Sequence, residues 1–125
     1  MEMAQLIRLA QEAARGGEVP IAAAVVAADG TVLATAHNLV EARGDATAHA
    51  ELLALQAAMA QRGSKYLADC SLWVTLEPCA MCAQAASLSK IRKIIFGAYD
   101  PKGGGVEHGA RVFSHPTCHH VPEII

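Results

Sequence analysis

Aromatic side chains are scarce in this chain: one Trp, two Tyr and two Phe, 4% of 125 residues. A protein that grips single-stranded nucleic acid on stacking platforms carries more of them, so that design is poorly supplied here. Long apolar runs are also missing. The longest, Ile21 to Ala28, falls far short of the about 20 residues that a membrane helix needs. Near the start stand Glu2 and an amphipathic pattern, not a basic segment followed by an apolar one, so no secretory signal is visible. Charge of either sign is modest. The formal net charge is -2 and the pI is near 6.3, which excludes a global basic field for RNA or anionic lipid. Any nucleic-acid contact has to be a local patch.

Cysteine is the exception to this plainness. Four cysteines admit three pairings, but Cys79 and Cys82 stand at metal-ligand spacing, and nothing else points to export. The thiols are therefore expected to be reduced and the protein cytoplasmic. Hydrophobic residues make up 53%, much of it alanine, which suits a globular, helix-rich chain. The length is right for one domain, 1–125, with a core of its own.

Along the chain, Met3, Leu6, Ile7, Ala10, Ala13 and Ala14 recur at helical spacing until Gly16-Gly17. Two apolar runs, Ile21 to Val26 and Thr31 to Leu33, flank Asp29-Gly30, a hairpin signal. A polar loop over 38–46 leads to Thr47, the expected N-cap of a helix from Ala48 to Gln61. Ser71 to Leu76 reads as a buried strand, Cys79 to Leu88 as a helix opened by Pro78, and Lys93 to Gly97 as a strand. Strand, helix, strand is the unit that makes a parallel pair. Gly109 to Phe113 is expected to hold a short helical turn and Val121 to Ile125 a short edge strand. The order α-β-β-α-β-α-β predicts an α/β sheet sandwiched by helices.

Two segments carry the chemistry: His49-Ala50-Glu51 and Pro78-Cys79-Ala80-Met81-Cys82. One imidazole and two sulfurs make a zinc-type ligand set with one position left for water, the catalytic arrangement; four protein ligands would be structural. Glu51 then reads as the proton carrier for that water. His49 and Glu51 would diverge in mid-helix, but in a first turn both reach over the helix end. With both segments at helix N-termini, the positive end of each dipole favours thiolate. Taken singly, each feature has a plainer reading: Cys-x-x-Cys as a redox pair, the histidine as a surface residue. Their joint occurrence, in order and at two helix starts, is what points to a metal.

His-Ala-Glu followed by Pro-Cys-Ala-Met-Cys resembles the signature of the zinc-dependent nucleobase deaminases, and within them the bacterial tRNA-specific adenosine deaminases. Val19-Pro20-Ile21, Thr75-Leu76-Glu77-Pro78-Cys79 and Phe96-Gly97-Ala98-Tyr99-Asp100-Pro101-Lys102-Gly103 extend the likeness from the first helix to about His120. The resemblance implies the cytidine deaminase-like three-layer α/β/α sandwich with a mixed central sheet. It also implies His49, Cys79 and Cys82 as ligands of one Zn2+ per chain and Glu51 as the catalytic proton shuttle. Asn38 and Asp100 match residues that contact the substrate nucleotide. The implied reaction is hydrolytic deamination of adenosine to inosine at the wobble position of a tRNA anticodon loop, by a homodimer whose sites border the interface. The Cys79 to Leu88 helix supplies candidate contacts.

Two departures stand out. Family members usually carry glycine in the first strand where Ala22 stands, and a methyl there would narrow the pocket if that backbone approached the base. They also run on into a C-terminal helix that the sequence to Ile125 does not contain, which bears on RNA contacts and not on the zinc chemistry. The first alternative is deamination of a free base of guanine or cytosine type, and the second a zinc-stabilised binding module without catalysis. Cys70 reads as a small core residue. Cys118-His119-His120 reads as a solvated loop rather than a second metal site, and Arg92, Lys93, Lys102 and Arg111 mostly as ordinary surface charge.

Overall fold

The computed structural model describes the whole chain, Met1 to Ile125. Helix α1, Met3–Arg15, buries a stripe of Leu6, Ala10 and Ala13, spaced at the helical repeat. Strands β1, Ala22–Val26, and β2, Val32–His37, follow as an antiparallel hairpin. Its turn is the expected Asp29-Gly30: Asp29 Oδ1 accepts from Thr31 N at 2.9 Å, and Gly30 takes φ +92°, a region closed to most residues. A short helix α2, Val40–Arg43, lies inside the segment expected to be loop. Helix α3, Ala50–Arg62, strand β3, Ser71–Val74, helix α4, Ala80–Leu88, and strand β4, Lys93–Phe96, complete the frame. A single 3₁₀ turn, Val112–Ser114, and strand β5, Glu123–Ile124, stand near the expected short helix and edge strand.

The sheet order is β2-β1-β3-β4-β5. β1 is antiparallel to both neighbours, whereas β3–β4 and β4–β5 are parallel, which makes the sheet mixed. The parallel β3–β4 pair is joined through α4, as a crossover requires. Side chains alternate across β1 with the period of two that a strand imposes. Ala22, Ala24 and Val26 pack with Leu6 and Ala10 of α1. Ala23 and Val25 face the larger core with Ala54, Leu55 and Ala58 of α3, Leu72 and Val74 of β3, Ala86 of α4, and Ile94 of β4. Helix α1 thus covers one face of the sheet and α3 with α4 the other: the α/β/α sandwich.

This alternation corrects one expectation. Ala22 points into the α1 cluster, on the sheet face away from α3 and α4, so its methyl does not narrow anything lined by the helices that carry His49 and Cys82. Helix α3 also starts later than expected. His49 is its N-cap, and Thr47 instead bonds back to Asp45 Oδ1 through both N and Oγ1, at 2.8 and 2.7 Å. An Asx turn outcompetes helix capping at Thr47 because Asp45 sits two residues upstream with its acceptor already in place.

The segment after β4 is pinned from α4. The buried Ser87 hydroxyl donates to His120 O at 2.7 Å and accepts from His120 N at 2.8 Å. His120 Nε2 also bonds Ile91 O at 2.8 Å. This leads the chain into β5. Ser87→Ala would leave His120 N without an acceptor and His120 O with only the Cys118 thiol at 3.3 Å, at a cost of about 1–3 kcal/mol. We expect a lower urea midpoint and faster amide exchange at His120 and Glu123, with the zinc content unchanged; an unaltered midpoint would show that the tail contributes nothing.

Candidate metal centre and active site

Both ligand-bearing segments lie at helix starts, and in both the first ligand residue is the N-cap itself, with Cys82 following in the first turn of α4. His49 has φ -75° and ψ 145°, and Cys79 has φ -69° and ψ 173°. N-cap positions usually hold Ser, Thr, Asp or Asn, whose oxygen closes on the first free N–H groups. Neither His49 nor Cys79 makes such a bond. Their side chains turn off the helix ends toward each other instead. His49 Nδ1 lies 3.5 Å from Cys79 Sγ and 3.6 Å from Cys82 Sγ, and the three donor atoms all fall within 4.8 Å of one another.

That spacing fits zinc. Zinc–nitrogen bonds of about 2.0 Å and zinc–sulfur bonds of about 2.3 Å, arranged tetrahedrally, put N and S roughly 3.5 Å apart. The thiol chemistry agrees. The Cys82 thiol and backbone amide, with His49, draw the Cys79 thiol down to about 5 against the opposing effect of burial. Cys82 moves the opposite way, raised by the Cys79 sulfur and by burial. The two sulfurs, Cys82 buried and Cys79 half-buried, favour opposite protonation states, and a divalent cation bound by the pair would favour thiolate at both.

Glu51 lies in the first turn of α3, beside this set. It is only 3% exposed, and its Oε1 is a fully buried oxygen without a hydrogen-bond partner. Burial raises its carboxyl to about 7, with the neighbouring Cys79 adding to the rise and His49 opposing it. A buried acceptor left unpaired costs about 1–3 kcal/mol, so its persistence calls for a function.

Asn38 is buried at the end of β2. Its N–H donates to Ile21 O at 3.1 Å, and its Oδ1 accepts from Ala50 N at 2.8 Å, so the side chain spans from the hairpin to the first turn of α3. It does not bond its own backbone, the plainest reading for an Asn in a loop. Its side-chain nitrogen makes no hydrogen bond within the chain. Nearby, the buried Glu18 carboxylate accepts from Glu41 N and Ala42 N, at 2.9 and 2.8 Å, and so fixes helix α2. Asp100 behaves otherwise. Its Oδ1 accepts from Lys102 N and Gly103 N at 3.2 and 3.0 Å, a local turn that opens the glycine segment.

Sequence reasoning gave no role to Glu77, although it stands in the Thr-Leu-Glu-Pro-Cys run. Its carboxylate is fully buried and collects donors from the segment that begins at Asp100. Burial alone would raise its carboxyl, but His108 and these N–H groups hold it at about 2. The signal available in the sequence was an acidic residue inside an otherwise buried strand-to-helix junction.

Other candidates fall away. Cys118, His119 and His120 form no metal-holding group with other side chains; Cys118 Sγ lies near Ser87 Oγ and His120 O. Cys70 is a buried core thiol, pushed up to about 11 chiefly by burial. Arg111, read from the sequence as surface charge, donates Nε to Glu107 O at 3.1 Å. The largest hollow, about 570 Å³, lies at the β2 edge among Leu9, His37, Arg43 and Gln56, and includes none of the metal-set residues.

Comparison with known proteins agrees with this geometry. Residues 1–98 match the family described as the cytidine and deoxycytidylate deaminase zinc-binding region. The tRNA-specific adenosine deaminase of Agrobacterium fabrum is 48% identical over 115 residues, 92% of this chain and 75% of that protein. A solved tRNA:A34 deaminase, studied for A-to-I editing at the wobble position of transfer RNA, superposes with a TM-score of 0.95 at 46% identity, covering 98% of this chain and 88% of the other. The guanine deaminase of Bacillus subtilis superposes less closely, with a TM-score of 0.74 at 33% identity over 78% of this chain and 62% of the other. The chain belongs to the zinc-dependent cytidine and deoxycytidylate deaminase family.

Proposed function

We propose that the chain hydrolytically deaminates adenosine to inosine at the wobble position of a tRNA anticodon loop. The observation that carries the chemistry is the buried Glu51 carboxylate, one oxygen of it unpaired, beside the His49, Cys79 and Cys82 donors. Substrate choice is supported by likeness: the wobble-position deaminase superposes more closely, and over more of the chain, than the guanine deaminase. When held by His49, Cys79 and Cys82, Zn2+ supplies a water activated for attack at neutral pH.

The chain's own residues do the rest. Glu51 accepts a proton as the water oxygen adds to C6 of adenine and delivers it to the adjacent ring nitrogen. It then carries the remaining hydroxyl proton to the exocyclic amine, which leaves as ammonia while the C6 carbonyl of inosine forms. Asn38, its Oδ1 committed to Ala50 N, keeps its amide N–H groups for an acceptor on the purine edge. Asp100 borders the nucleotide at the head of its turn. Burial raises the proton affinity of Glu51 toward neutrality, which suits a group that must both take up and give back a proton.

Glu51→Ala should retain about one zinc per chain by metal analysis yet lose on the order of 10²–10⁴ in turnover, the scale of a lost general acid–base. Substantial activity in that variant would sink the assigned role, and a retained structural zinc with no wild-type turnover would favour a binding module. Inosine formation on an anticodon stem-loop, run beside ammonia release from free guanine and cytosine, tests the substrate. Turnover of a free base alone would reject the tRNA reading.

We also infer a homodimer. Leu88, at the end of α4, is 53% exposed and borders a groove of about 310 Å³ with Leu52, Met59 and Ala85 between α3 and α4. Large apolar side chains grouped along an open groove are what an interface buries. Sedimentation should give a dimer that Leu88→Arg weakens. A concentration-independent monomer in the unmodified protein would refute the assignment.

A further inference from the structure

Glu77 gathers donors as few carboxylates do. Its Oε1 accepts from Asp100 N at 3.1 Å and from His108 Nδ1 at 2.8 Å. Its Oε2 accepts from Val106 N, Glu107 N and His108 N, at 3.1, 2.9 and 3.1 Å. All five donors belong to one excursion of chain between Asp100 and His108, which has no helix or strand of its own. The carboxylate supplies the order that backbone ladders supply elsewhere.

The excursion is also pressed against the ligand-bearing turn. Gly105 N donates to Pro78 O at 2.7 Å. A Cβ on Gly105 would come within 2.5 Å of Ala80 N, and one on Gly104 within 2.5 Å of the Glu77 carboxylate. Only glycine permits that approach. Glu77 in turn is anchored by its own N–H to Ala98 O at 2.8 Å, beyond the end of β4. Along Glu77-Pro78-Cys79 the chain therefore serves two purposes. Glu77 holds the Asp100 segment on one side, and Cys79 presents its sulfur to His49 on the other.

We propose that Glu77 is a positioning residue for substrate: it fixes the Asp100–His108 segment against the first turn of α4, and so sets where Asp100 meets the nucleotide. This rests on the deaminase reading above. Glu77 makes all its side-chain hydrogen bonds to the Asp100–His108 segment and none to a metal donor. Its loss is therefore expected to weaken binding far more than chemistry.

The test uses the zinc-loaded protein with Glu77→Gln, which keeps the shape of the side chain but turns an N–H₂ toward N–H donors. One zinc per chain should remain. Amide exchange at Val106, Glu107 and His108 should accelerate about tenfold or more, while the β1–β3 ladder keeps its protection. KM for whichever substrate the wild type turns over should rise about tenfold, with kcat within about twofold. Gly104→Ala, which forces the segment off the carboxylate while leaving Glu77 in place, should give the same split; if Glu77→Gln does not fold, this variant decides alone. Unchanged KM, equal loss in kcat, or loss of zinc would each overturn the proposal. A wild type inert on the stem-loop but active on a free base counts against the tRNA reading only, because exchange and KM on that base still decide on Glu77.

Discussion

The structure depends on a constraint that favours unfolding: a carboxylate and a sulfur must be kept out of water beside one imidazole and a second, half-buried sulfur. Glu51 and Cys82 are buried, and one Glu51 oxygen has no partner. Each such group costs free energy that packing elsewhere must offset. Much of that packing comes from small side chains. Ala23, Ala50, Ala54, Ala58 and Ala86 line the core between the sheet and the two helices that start at the site. With alanine at those positions, α3 and α4 can lie close to the sheet, and their first turns converge. The scarcity of aromatics, which looked like a missing nucleic-acid platform, also reflects a core built for close approach.

The parts legible in the sequence were those governed by local chemistry. Asp29-Gly30 closes its hairpin because a turn of that kind needs little from the rest of the chain. His49, Cys79 and Cys82 were readable because metal ligation imposes residue type and spacing together, and the donors do meet. The parts that were not legible depend on partners distant in sequence. Helix α2 forms because Glu18, some twenty residues away, accepts its first N–H groups, as the separations of 23 and 24 show. The late start of α3 turns on Asp45 engaging Thr47 first. The direction of Ala22 follows from the phase of β1, which a run of consecutive alanines hides: with no polar residue to alternate, periodicity says nothing about which face is which.

Glu77 belongs to the same class. A carboxylate in a buried junction reads as an anomaly in one dimension. Only the fold shows that the glycines of the following loop exist to deliver their neighbours' N–H groups to it. The short stretch from Glu77 to Cys82 consequently serves both halves of the proposed reaction site: Cys79 and Cys82 supply metal donors, and Glu77 holds the Asp100–His108 segment that we propose meets the nucleotide. These two functions are joined by a few covalent bonds and by the Gly105 to Pro78 hydrogen bond, a coupling in position that leaves each to its own side chains.

That coupling carries a consequence for how specificity can change within such a scaffold. Substitutions at the candidate metal donors are expected to act on the chemistry, and those in the sheet on the stability of the whole. The Asp100–His108 segment is different, because it is held by one carboxylate and by close glycine contacts rather than by a ladder of its own. Its surface-facing residues, such as Lys102, can vary without disturbing Glu77, since the bonds to that carboxylate are mostly from backbone N–H groups. Backbone recognition by a buried acceptor leaves the side chains of a loop free to match a substrate while its path stays fixed. A single zinc chemistry can therefore serve different bases, provided the anchor beneath the loop is kept.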